Sequence, residues 1–223
     1  MYSKRIESIA EAVSPCDTLA DIGCDHGFIG FCALEKNKAK KVLFSDISAP
    51  SLEKAKAYCL KNGCSEKCEF FVGNGTEKIA YADCVVIAGM GGKEIIEILE
   101  NMTFKPSQIV LQPMKNLPDV RKYVEQRYFV SFDKIVFDKK FYDIISLTQG
   151  RDNLSDEEIL FGKNNLKEKH VDFKLFVEKE ISKTKKILSG KTDNKDKKLY
   201  LMQLQKIAEE LHYDGTNAQI SGD

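Results

Sequence analysis

The chain lacks a net charge that would draw it to a polyanion, an apolar run that could span a bilayer, and a C-x-x-C pair that could seed a metal or redox centre. Its 223 residues balance 34 Lys and Arg against 34 Asp and Glu, so overall charge points to no acidic partner. Nothing approaches the roughly 20 apolar residues of a membrane helix. At the N-terminus Lys4 and Arg5 precede an amphipathic stretch rather than the apolar core of a signal peptide, so a cytoplasmic location is expected. The seven cysteines, odd in number, argue against a disulfide framework. Cys59, Cys64 and Cys68 lie close in sequence, but no second pair or histidine completes a tetrahedral set; reduced thiols and no metal are the expectation. Cys32 and Cys84 read as small core residues.

What is present is an alternation of short apolar strands and amphipathic helices. Ile6, Ile9, Ala10 and Val13 share one face of a helix over Ser3–Val13, stopped by Ser14-Pro15. Strands are predicted at Thr18–Ile22, Val42–Asp46, Glu69–Val72, Ala82–Met90 and Ile109–Gln112. Helices follow at Phe28–Lys36, from Ser48 to Leu60, at Glu94–Glu100 and from Pro118. Apart from Asp83, the run Ala82–Met90 is apolar, as a central strand covered on both faces must be. Repeated strand–helix units imply a doubly wound parallel sheet. Ser131–Phe137 and Tyr142–Thr148 are joined only through Asp138-Lys-Lys140, too short for a parallel crossover, so they pair antiparallel. The fold class is therefore α/β, a Rossmann-like doubly wound sheet with an antiparallel terminal hairpin. That topology resembles the class I S-adenosylmethionine (SAM) methyltransferases more than a nicotinamide-binding Rossmann domain.

After Gly150 the character changes. Residues 154–162 read as a loop or short helix. Val171–Leu188 and Leu199–Leu211 carry apolar residues at helical spacing and predict an antiparallel, coiled-coil-like helical hairpin. The division expected is 1–150, 151–213 and a flexible tail 214–223. Between Lys163 and Lys198 twelve lysines face six acids. That excess suits a solvated helical face first, and a nucleic-acid contact second.

The chemistry concentrates where strands end. Asp21-Ile-Gly23-Cys-Asp25-His26-Gly27 is an acidic glycine turn between a strand and a helix. There the backbone can approach a ligand and free N–H groups point outward. Asp46 with Ile47 ends the second strand, placed to accept both hydroxyls of a ribose, and Asn74-Gly75 follows the third as a partner for adenine. Three such features at successive carboxyl ends indicate SAM, with NAD(P) or a nucleotide as rivals. The spacing Gly23, Gly27, Gly30 is not G-x-G-x-x-G, which weakens the NAD reading. The fourth strand ends Ile87-Ala-Gly89-Met90-Gly-Gly92 instead of the Asn/Asp-Pro-Pro-Tyr of many amino-group methyltransferases, leaving the backbone open around the methyl donor. Asp25 has two readings: a turn residue that caps the next helix, or a catalytic acceptor for the exocyclic amine of a substrate base. His26 either orients the turn or meets the ligand.

Ser3-Lys-Arg-Ile, the Asp21–Gly27 turn, Ile87–Gly92 and Leu111-Gln-Pro113 with Arg121 together resemble the bacterial tRNA adenine-22 N1-methyltransferases, the TrmK family. The ordered motifs cover residues 3–150, and the helical hairpin matches that family's appendage in kind. The resemblance implies SAM-dependent methylation of adenine N1 in the tRNA D-arm. For such a reaction the phosphate contacts expected are Lys4, Arg5, Lys115, Arg121 and the hairpin lysines; the sequence leaves the oligomeric state open, with a monomer favoured. Asn74 stands where the family usually has aspartate, and Lys139-Lys140 replaces a more usual glycine turn. The competing readings are a class I methyltransferase for a small molecule, or a SAM-binding module without catalysis.

Overall fold

A computed structural model describes residues 2–190 and 194–220, with backbone alone for 212–220. It divides into two compact units, Met1–Lys163 and Asn164–Asp223.

In the first unit, α1 (Lys4–Ala12) is capped by the Ser3 hydroxyl, which accepts the Ile6 N–H. β1 (Cys16–Ile22), α2 (Phe28–Glu35), β2 (Ala39–Asp46), α3 (Ala49–Lys61), β3 (Cys68–Val72), β4 (Cys84–Met90), α4 (Gly92–Asn101), β5 (Gln108–Pro113) and α5 (Leu117–Glu125) follow. A long hairpin, β6 (Tyr128–Asp138) and β7 (Lys140–Gln149), closes the series. The sheet order is β3-β2-β1-β4-β5-β7-β6, parallel up to β5 and antiparallel at both β5–β7 and β6–β7. Both the doubly wound sheet and its antiparallel hairpin were legible beforehand.

β4 sits at the centre and is buried on both faces. Cys84, Val86 and Ala88 join one core cluster with Ile9, Phe31 and Leu52 of the helices on that side. Val85 and Ile87 join the other with Ile95, Leu99 and Val120. Between β6 and β7 the turn is a single residue, Lys139, at φ +62°. The left-handed region strains any residue with a Cβ, which is why glycine is usual at such a turn.

The first unit extends past Gly150. α6 (Asp156–Phe161) begins with a capping box in which Ser155 and Glu158 exchange hydrogen bonds. Leu154 and Ile159 are buried in the same cluster as Val120 and Val124. The expected boundary at 150/151 therefore moves to 163/164, because this short helix packs on α5 instead of starting the hairpin.

The second unit begins one residue into α7 (Lys163–Glu168) and continues with α8 (Val171–Leu188) and α9 (Lys195–Ile220). α8 and α9 pack as a hairpin with Phe173, Val177, Leu204, Ile207 and Leu211 buried. The backbone of α9 stays helical to Ile220, through the first part of the stretch read as a flexible tail from Asp214, since extending a formed helix costs little per residue. Residues 221–223 of that tail lie outside the described residues. Among the described residues no helix is long and apolar enough to cross a membrane.

Candidate nucleoside-binding and methyl-transfer site

The site is built at the carboxyl ends of β1, β2, β3 and β4, where open parallel sheets bind ligands. Gly23 leaves β1 at φ +64°. Its N–H and that of Cys24 both donate to the Ser45 carbonyl, at 2.7 and 3.1 Å. Gly27, at φ +72°, precedes α2 and donates to the Cys24 carbonyl at 2.7 Å. A Cβ on Gly23 would fall 1.8 Å from Met90 Cε, so the methionine side chain lies directly over the glycine turn. Asp21 is buried beneath it and accepts the Gly30 N–H at 3.0 Å, tying β1 to the first turn of α2. Burial pushes its carboxyl up to about 7; the Gly30 hydrogen bond opposes that shift and the nearby Asp46 adds to it. Asp21 thus supports the turn from below.

Asp46, expected to be the ribose acid, ends β2. Its Oδ2 accepts the Asp25 N–H at 2.9 Å and its Oδ1 the Ser48 N–H at 2.8 Å. An ionised carboxylate has about four acceptor sites, so each oxygen keeps one for a ligand hydroxyl. Ile47, beside it, is 73% exposed, an apolar side chain free to cover a purine. The loop after β3 is tied to the same corner: Gly73 N–H donates to the Asp46 carbonyl and the Ser45 hydroxyl to the Gly75 carbonyl. Gly75 sits at φ +56°, and Asn74 is exposed next to it.

Asp25 occupies the tip of the turn at φ +50°. Its Oδ1 accepts the Ser51 hydroxyl at 3.1 Å, and its Oδ2 lies 2.8 Å from His26 Nδ1. Partial burial pushes its carboxyl up, but the hydrogen bonds from His26 and Ser51 outweigh that and hold it below the ordinary value. The His26 ring stacks on Phe28 with centroids 5.6 Å apart. Neither side chain caps α2, whose N-cap is Gly27 with no side-chain hydrogen bond; the expected capping role of Asp25 gives way to a tie from the turn to Ser51 of α3.

At the end of β4, Gly89 takes φ +82° beside a break in register between Ala88 and Met90. A Cβ there would approach Arg5 Nη2 at 3.1 Å. Arg5 is held by three contacts. Its Nε donates to Gln112 Oε1 at 2.7 Å, its backbone N–H donates to Asp138 Oδ2 at 3.0 Å, and its guanidinium lies 5.1 Å from the Tyr142 ring centroid. The Lys115 side chain covers Gly91, whose added Cβ would meet Lys115 Cε at 2.9 Å. Gly92 packs against Asn116 and Val120, so part of this glycine run serves helix packing.

Arg121 does not belong with the surface cations. Its side chain is fully buried. Nη2 pairs with Asp143 at 3.1 Å, Nε lies 3.6 Å from Asp133, and Nη1 donates to the carbonyls of Ile159 and Leu160. A guanidinium so enclosed cannot reach phosphate, and its expected tRNA contact is withdrawn. The helical period of α5 places it inward beside Val120 and Val124, which the motif alone did not reveal. The sequence reading also missed Ser45, Ser51 and Gln112, polar residues that brace the turn and Arg5; their only signal was polarity at the ends of buried strands and at a helix start.

The glycine cradle, the acid with spare acceptors and the exposed apolar neighbour fit an adenosine-bearing ligand and define a Rossmann-like methyltransferase site. The chain belongs to the methyltransferase domain family, whose model matches residues 2–145. Over 219 residues it is 29% identical to the tRNA (adenine(22)-N(1))-methyltransferase of Bacillus subtilis, covering 91% of this chain and 92% of that one. A Streptococcus pneumoniae putative tRNA (m1A22) methyltransferase, solved in complex with S-adenosyl-L-methionine, superposes with a TM-score of 0.82 at 26% identity, over 95% of this chain and all (100%) of the other. M. capricolum TrmK in complex with S-adenosyl-homocysteine superposes with a TM-score of 0.80 at 26% identity, over 95% and 98% of the two chains. The expected membership of the TrmK family is borne out.

Proposed function

We propose that this protein is a SAM-dependent tRNA methyltransferase acting on N1 of adenine 22. The observation that carries the reading is the near end-to-end likeness, over 91% of the chain, to an enzyme of that activity. The site's geometry supports it independently.

S-adenosylmethionine, when bound, supplies a methyl carbon made electrophilic by its sulfonium. Every other task falls to the chain. The Gly23–Gly27 turn receives the methionine end, Asp46 the ribose hydroxyls, and Ile47, Asn74 and Gly75 the adenine. Gly89 and Met90 border the place of transfer, and His26 and Asp21 hold the turn in shape. Adenine N1 lies on the Watson–Crick edge, so the target base must be unpaired or flipped to enter. Alignment of the two reactants can supply several kcal/mol of barrier lowering.

Asp25 is the candidate catalytic residue. Ser51 and His26 keep its carboxylate charged at the rim, and each oxygen retains acceptor capacity for the exocyclic amine of the base. That contact would both orient the ring and offset the positive charge that develops on it. Lys4, Arg5 and Lys115 stand on the same edge of the sheet as the site and would position tRNA phosphates, without reading sequence. The exposed lysines of α8 would add a second grip.

The test is incubation with labelled SAM and either bulk tRNA or a metabolite extract. Label in tRNA, with a reverse-transcriptase stop at position 22 that is lost when that adenine is replaced, is the expected result. Label confined to small molecules favours the small-molecule enzyme, and SAM binding without transfer favours the non-catalytic module.

A further inference from the structure

Cys59, Cys64 and Cys68 have no part in the function proposed above. Cys59 lies near the end of α3, Cys64 in the turn that follows, and Cys68 opens β3, at the opposite end of that strand from Asn74 and Gly75. Their three Sγ atoms all lie within 4.8 Å of one another, and those of Cys59 and Cys64 are 3.3 Å apart. We propose that this cluster is a three-thiolate site for a thiophilic closed-shell metal ion, zinc or cuprous.

The geometry suits such an ion. Sulfurs bound to zinc at about 2.3 Å in a tetrahedral set stand roughly 3.8 Å apart, close to the spacing already present. Small side-chain rotations would bring all three to one centre. Soft sulfur ligands select zinc and cuprous ions over hard cations. A disulfide would use two of these sulfurs and leave the third idle, whereas convergence of all three on one point is what a metal exploits. Cys59 and Cys68 are buried while Cys64 is half-buried, which gives an entry path on one side. The Ser65 hydroxyl, 4.0 Å from Cys59 Sγ, or a water can complete a fourth position for zinc, and a cuprous ion needs only three ligands.

The balance is simple. Three S–H bonds each lose a proton to solvent, three sulfur–metal bonds form, and no electron is transferred. Because each thiol must lose its proton to bind, affinity rises with pH. A bound ion would staple the end of α3 to the start of β3. The spacing C-x4-C-x3-C carries no familiar zinc signature, and a helix end folding back on a strand is what unites the three.

The test uses reduced, metal-stripped full-length protein. It is titrated in one arm with zinc, and with cobalt as its coloured substitute, and in the other with cuprous ion held by a competing chelator. Expected are a one-to-one complex with one of the ions, a sulfur-to-cobalt charge-transfer band if zinc is the ligand, release approaching three protons, and a raised melting temperature. Cys64→Ser should lower affinity by about 100-fold or more, since even outer-shell changes cost 10–100-fold, while Cys16→Ser should leave it unchanged. Failure to form a one-to-one complex with either ion overturns the proposal, as does an affinity unaffected by Cys64→Ser. Recovery of the protein with two thiols missing and no metal overturns it in favour of a disulfide. None of these readouts depends on methyl transfer.

Discussion

Replacing Arg121 by methionine separates an anchor of the fold from a contact to RNA. The guanidinium is fully enclosed, paired with Asp143 and close to Asp133, and donates to two carbonyls of α6. Methionine fills similar volume but takes a donor from Asp143 and from the Ile159 and Leu160 carbonyls and a counter-charge from Asp133, which keeps the Lys163 N–H. Breaking a buried pair from one side costs about 3–5 kcal/mol, a large share of the 5–15 kcal/mol that typically holds a domain. For a unit of this size the melting temperature should fall by about 10 °C. The loss must also depend on pH. Burial pushes the Asp143 carboxyl up to about 6 in the folded protein, against the pull of Arg121, compared with about 3.9 unfolded. A raised folded pKa means that its contribution is fully present below the unfolded value and is lost as pH rises through the folded one. Without Arg121 the folded pKa climbs further, so the variant's deficit should be largest near pH 8 and shrink toward pH 4. Urea denaturation across that range, monitored by circular dichroism, measures it. The triple change Arg121→Met, Asp133→Asn, Asp143→Asn should recover much of the stability. A stability loss below about 1 kcal/mol accompanied by weakened tRNA binding would refute the buried-anchor argument and restore Arg121 to the RNA surface.

Asp46→Asn removes a charged acceptor from two backbone N–H groups and the ribose, and should weaken S-adenosylhomocysteine binding by about 10- to 100-fold by calorimetry, at about 1.5–3 kcal/mol for such hydrogen bonds. Gly23→Ala must hold a Cβ at φ +64° and displace Met90 Cε. The left-handed strain alone, about 1–2 kcal/mol, should appear as a loss of stability in urea, with cofactor affinity falling as well. Asp25→Ala should retain cofactor affinity while turnover drops by about 100-fold or more; an equal fall in both assigns the residue to the turn alone. Truncation after Lys163 should leave a folded, cofactor-binding unit with weakened tRNA affinity, measured by filter binding. Truncation after Gly150 should unfold it, because Leu154, Ile159 and the carbonyls that hold Arg121 are lost.

Local pattern determined much of this protein. Strand–helix alternation, the apolar run through β4, the short link before β7 and the serine caps are written in near neighbours, so sheet, hairpin and helices were legible without coordinates. The turn from Asp21 to Gly27 and the acid at Asp46 were legible for the same reason: each stands at the end of a strand, and strand ends are where such a sheet presents its chemistry. Tertiary structure alone decided the rest. Arg121 looked like a surface cation until the packing of α5 and α6 enclosed it. Gly150 looked like a boundary until α6 folded back on α5, and the carboxylate of Asp25 found Ser51 on another element. Three thiols spread along a helix, a turn and a strand met at one point. All but the last depend on contacts between segments distant in sequence, whose partners are chosen by burial and chain closure, and no local period or motif encodes that choice.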